Sequence, residues 1–163
     1  MRETSGTLSP AMVMGIVAGL TGTAVMMAMR LFDERYAPMT IAKTKEDPGA
    51  FVIHAAERAT GFAGTIPRSV ENSVTLAIHA GHGTLFGVLY GLWRGQRKNR
   101  SALTDGVVLG TVAYAAGQLG LLPAFGLSKS VWKQEFPEIA GELLRHVAYG
   151  VATTAAYGFI ETM

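Results

Sequence analysis

The chain has 163 residues, of which 49% are hydrophobic and 16% charged, with a formal net charge of +2. So few charges cannot cover a water-soluble domain of this size, and the composition points to one small membrane domain, residues 1–163. The lack of cysteine excludes a disulfide framework, iron–sulfur ligation and zinc-finger chemistry. The basic excess is concentrated at Arg94, Arg97, Lys98 and Arg100, which is a topology signal rather than a nucleic-acid footprint.

The first apolar stretch, residues 10–32, follows the polar start MRETSGTLS. It continues too far and ends too polar for a cleaved signal peptide, so a retained span is expected. Arg30, Asp33 and Glu34 read as a snorkelling rim at its end. Met26, Met27 and Met29 read as core or lipid contact, although thioethers beside imidazoles would also suit Cu(I). In the long connection that follows, Asp47 as N-cap, Pro48 at the first helical position and Gly61 as a stop predict a short helix over 48–60. Its mixed faces suit the membrane interface or a lid over the bundle.

The second span, about 72–93, has no formal charge between Ser73 and Trp93, yet it carries His79 and His82. The basic link after it is expected in the cytoplasm by the positive-inside rule; with an even number of spans both termini are then cytoplasmic. Arg35, Lys43, Lys45, Arg58 and Arg68 pull the other way but are diluted over a longer connection. The third span, about 102–122, opens with Thr104 and Asp105, which read as a helix cap. Pro123 and Pro137 bound the next connection, where Trp132 and Phe136 serve as interfacial anchors, and the fourth span covers about 142–160. The expected fold is all-α, an integral membrane four-helix bundle with a short interfacial helix between spans 1 and 2.

Small residues recur every three or four positions in every span, the spacing that lets helix backbones approach closely in lipid. The stripes are Gly15, Gly19 and Gly22; Gly83, Gly87 and Gly91; Gly106, Gly110 and Gly117; and Gly150 and Gly158. They predict a tight bundle, a homo-oligomer, or both.

Helix rise places the polar residues in depth. At about 1.5 Å per residue, His79 lies roughly 22 Å from Arg94 and Gln118 roughly 20 Å from Asp105. His146 lies as far from Glu161, His82 is a turn further in than His79, and Glu142 precedes His146 by one turn. With Tyr114 these residues form a candidate inward-facing polar layer, and three readings follow. Interhelical hydrogen bonds could fix the register of the bundle. His79, His82, His146 and Glu142 could ligate a metal or haem. The same groups could move protons or ions through a hydrated cavity.

No nucleophile elbow, His-Glu-x-x-His or phosphate-binding loop is present, and Gly81-His82-Gly83 lies inside an apolar span rather than at a strand-to-helix turn, which argues against an enzyme. The stretches AGHGTLFGVLYG, GVVLGTVAYAAGQLGLLP and GELLRHVAYG resemble the YagU-like bacterial inner-membrane proteins. The resemblance implies a multi-span inner-membrane protein and brings no catalytic residue with it. The expected function is a structural or accessory component of a homo-oligomer or larger membrane assembly in the lipid bilayer. Metal or haem binding, or proton or ion handling, by the His/Glu cluster is the alternative; the sequence leaves the cofactor unknown, and no nucleic-acid partner is expected.

Overall fold

The computed structural model describes residues 8–61, 64, 66–94 and 101–163. Arg97, Lys98 and Arg100 lie outside the described residues. The fold is all-helical: among the described residues there are five long or medium helices and no strand, only an isolated antiparallel bridge between Thr44 and Ser128.

Helix α1 (Pro10–Tyr36) starts where the Ser9 hydroxyl accepts the Met12 N–H at 3.3 Å and Pro10 supplies a preset φ. It outruns the apolar stretch because its charges are satisfied along the helix and across it. Arg30 Nε donates to Glu34 Oε1 at 3.0 Å, while Asp33 is taken by Arg145 from another helix. The three residues read as one snorkelling rim are therefore divided between surface and interior.

Helix α2 (Pro48–Thr60) begins at Asp47, whose carboxylate accepts the Gly49 N–H at 3.4 Å, and ends at Gly61 with a left-handed φ of 78°. Only glycine adopts that φ without strain, and so it marks the stop. Helix α3 runs over Arg68–Arg94.

Helix α4 (Ala102–Ala124) corrects one reading: its N-cap is Ser101, whose hydroxyl accepts the Thr104 N–H at 3.5 Å, not Thr104 or Asp105. Asp105 is instead buried, 3.8 Å from the Arg94 guanidinium. Over Ala115–Leu121 the helix widens to π winding, with the Leu122 N–H reaching back to Gly117 O. Helix α5 (Phe136–Glu161) is opened by a reciprocal capping box between Glu135 and Glu138 and tolerates Pro137 in its first turn, where a missing N–H costs nothing. It therefore starts well before the apolar run that follows Glu142.

The helices pack in the order α3, α1, α5, α4, with α2 laid along α3, while α3 and α4 scarcely meet. Two glycine seams make the close crossings. Gly15 and Gly19 of α1 face Gly87 and Gly83 of α3, where a Cβ on Gly15 would stand 2.5 Å from Gly87 O. Gly91 meets Ala11 O in the same seam. In the other, Gly106 and Gly110 of α4 face Val151 and His146 of α5, with Gly150 against Gly106 and Gly110. Gly22 joins the seams, its missing Cβ leaving room for Tyr149 and Thr153. Gly117 and Gly158 depart from the stripes. Gly117 sits on the π segment with only His82 near it, at 3.9 Å, and Gly158 has open space where a Cβ would be.

The interior is polar and small, and the outside is apolar. Thr153, Thr154, Tyr157 and Arg145 are among the most deeply buried side chains, whereas Val13, Val17, Leu85, Leu89, Val108 and Val112 point outward. Water-soluble domains bury their aliphatic residues, so this inversion matches an apolar surrounding. Helices α1 and α4 are long and apolar enough to cross a membrane. In α3 and α5, glycine, threonine, tyrosine and histidine replace much of the aliphatic content.

Candidate functional site

Where α3 and α4 draw apart, at the end of the bundle that carries α2, lies a half-open cavity of about 660 Å³. Met26, Met27 and Arg30 line it from α1, His79 and His82 from α3, Gly117 and Gln118 from α4, and Glu142, His146 and Tyr149 from α5. Phe51 and Val52 of α2 cover it, and Phe51 meets Phe125 from the end of α4 with ring centroids 5.9 Å apart. Helix α2 is held over the opening by polar ties. Thr75 Oγ1 donates to Asp47 and accepts the Gly49 N–H at 3.1 Å, and His54 stands between Glu46 and Glu71. The bridge between Thr44 and Ser128, with the Lys45 N–H on Leu127 O at 2.8 Å, closes the same end.

Two of the histidines are fixed in one tautomer by their own helices. His79 Nδ1 lies 2.9 Å from Thr75 O, and His146 Nδ1 lies 2.8 Å from Glu142 O. A carbonyl oxygen only accepts, so each Nδ1 carries the proton and each neutral ring keeps Nε2, on its far edge, as an acceptor or ligand nitrogen. His82 packs on Phe86 with centroids 4.8 Å apart. Tyr114 sets its ring edge-on against His146 at 5.5 Å. Gln118 is carried inward by the π winding, and its Oε1 is buried without a hydrogen-bond partner among the described residues.

Sequence reasoning missed the group that organises this wall. Arg145 is 2% exposed, and its guanidinium bonds to Asp33, to Thr40 O at 2.8 Å and to Glu142 Oε1 at 2.8 Å. It thereby ties α5 to the end of α1 and to the turn after it. The signal was present as a lone arginine beside His146 in an apolar helix, a placement that is costly unless paired. Glu142 is consequently committed to Arg145. Among the described residues no three His, Asp or Glu side chains form a group able to hold a metal ion. The structure brings His79, His82, His146, Glu142 and Gln118 to one cavity, with Tyr114 behind His146, without shaping them as a coordination sphere. Of the methionines, Met26 and Met27 reach the cavity wall. Tyr149 crosses the bundle to donate to Gly83 O at 2.6 Å, locking α5 onto α3 just below the histidines.

Residues 50–155 match the family described as Protein of unknown function (DUF1440), and since the match takes in more than half of the chain, the chain belongs to that family. The matched region covers most of α2, all of α3 and α4 and most of α5, which are the cover of the cavity and every wall but α1. No curated protein and no solved structure matches the chain.

Proposed function

We propose that this member of the DUF1440 family is a four-span protein of the bacterial inner membrane that binds a small amphipathic molecule in its cavity, with α2 as the cover. The observation that carries the reading is the cavity itself. Its volume of about 660 Å³ lies within the range of small-molecule sites, roughly 300–1,000 Å³, and it combines apolar walls with a few converging polar groups. Support for the membrane setting comes from α1 and α4, from the aliphatic exterior, and from the resemblance of the last spans to YagU-like inner-membrane proteins. Both termini are proposed to be cytoplasmic, which puts the cavity in the outer half of the bilayer.

The test is native mass spectrometry and elemental analysis of protein solubilised in mild detergent, beside a Gly117→Phe variant whose ring would fill the cavity. The reading expects wild-type protein to retain or take up a small organic molecule and the filled variant to lose it. Equal uptake by both, or none by either, overturns it. Stoichiometric copper, zinc or iron that disappears in His79→Ala and His146→Ala overturns it in favour of metal binding. A second reading, an accessory role in a homo-oligomer or larger membrane assembly, is favoured by Gly81 and Gly158. Both have open space where a Cβ would be, so none of the described helices uses their close approach.

A further inference from the structure

We infer that the ligand of the cavity is a lipophilic organic cation that carries its charge on an N–H-bearing amine. The inference rests on the reading of the cavity as a small-molecule site and follows from which polar atoms its walls have already committed. Most of the inner donors are engaged. The Arg145 guanidinium is held by Asp33, Thr40 and Glu142, and the Tyr149 hydroxyl donates to Gly83 O at 2.6 Å. The Thr23 hydroxyl donates to Gly19 O at 2.9 Å, the Thr75 hydroxyl to Asp47, and the Nδ1–H groups of His79 and His146 to their own helix carbonyls.

What the inner walls still offer is chiefly acceptors: the Nε2 lone pairs that His79 and His146 carry as neutral rings, the buried Gln118 Oε1 and the remaining lone pairs of Glu142, set against the N–H of His82 and the amide N–H groups of Gln118. A carboxylate or phosphate in that position would be desolvated against acceptors, whereas an ammonium would satisfy them. Charge points the same way. Among the wall side chains, Glu34, Asp47 and Glu142 oppose Arg30 and Arg145, and Asp33 adds another carboxylate on Arg145. The free guanidinium N–H groups belong to Arg30, which is exposed at the rim and paired with Glu34 at 3.0 Å. The apolar side of the cavity is rich in polarisable groups, with Met26, Met27, Phe51, Phe125 and Tyr149 facing it. Thioethers and ring faces are good neighbours for an organic cation.

The experiment uses the detergent-solubilised protein and three probes that share one naphthylpropyl body and end in an ammonium, a hydroxyl or a carboxylate. Affinities are read by equilibrium dialysis, on wild type and on Gly117→Phe, Gln118→Leu and Glu142→Gln. The ammonium probe is expected to bind about tenfold tighter than the hydroxyl probe, and the carboxylate probe least. Gln118→Leu and Glu142→Gln should remove most of that preference, weakening the ammonium probe more than the hydroxyl probe. Should Glu142→Gln fail to fold, Gln118→Leu alone decides, because its amide is not part of the Arg145 network. Tighter or equal binding of the hydroxyl or carboxylate probe, lost in Gly117→Phe, keeps the site and overturns the cation. Failure of every probe to bind the wild type, or binding indifferent to Gly117→Phe, overturns the site as well.

Discussion

Arg145 is the side chain on which the cavity wall depends, and its energetics are lopsided. Removing one partner of a buried ion pair leaves the other charge desolvated and unpaired, which costs about 3–5 kcal/mol. Arg145→Met is therefore expected to lower the unfolding free energy in mixed micelles by about that much, because Asp33 and Glu142 lose their counter-ion together. Adding Asp33→Asn to Arg145→Met should cost less than the sum of the two single changes. Additive effects in this cycle would show that the pair does not organise the wall. Tyr149→Phe removes one interhelical hydrogen bond to Gly83 O and should cost only about 0.6 kcal/mol by chemical denaturation, as such bonds within membranes average. Of these residues, the sequence made the histidines, Glu142 and Gln118 visible through their depth in apolar runs. Arg145 is not legible in the same way because its partners, Asp33 and Thr40, are remote in sequence, and only the crossing of α5 over the end of α1 reveals the pairing.

At the scale of elements, the seams depend on backbone contact that no side chain could replace. A Cβ on Gly150 would run into Gly106 O, and the obstacle is backbone, which cannot swing aside. Gly150→Ala should therefore force α4 and α5 apart and destabilise the fold by about 1–3 kcal/mol. Gly158→Ala, with open space before it, should leave the melting temperature unchanged. Equal effects at the two positions would refute the seam assignment. The glycine stripes were legible because close helix approach demands small residues at helical spacing. Which glycines would be used was not, because a stripe names a face but not the neighbour opposite it. The π segment escaped notice for a related reason. AAGQLGL has no local feature that compels a wider winding, yet that winding turns Gln118 and Gly117 toward the cavity.

For the whole molecule, the proposed orientation can be tested directly because the chain has no cysteine. A cysteine introduced in place of Trp132, which is 91% exposed in the α4–α5 connection, should react with a membrane-impermeant maleimide in intact cells. One introduced for Ser9 or Thr162 should react only after the membrane is opened. The opposite labelling pattern would invert the topology and move the cavity to the cytoplasmic half. Gating of the cavity by α2 is a further expectation at this scale. Loosening the tie with Thr75→Val, which removes the hydroxyl that bonds Asp47 and Gly49, should raise both association and dissociation rates of a cavity probe several-fold. Unchanged rates would mean that α2 does not gate access.

By itself the sequence determined helicity, the start and stop of α2 and the presence of polar groups inside apolar helices. Those properties follow from local periodicity, capping and composition, and each is written within a few turns of chain. Only the tertiary structure decided that α3 and α4 would part instead of packing, that Arg145 would take Asp33 and Glu142 as partners, and that the histidines would line a chamber. Those outcomes depend on which helix crosses which and at what depth, a matter of backbone approach and long-range pairing between residues far apart in the chain.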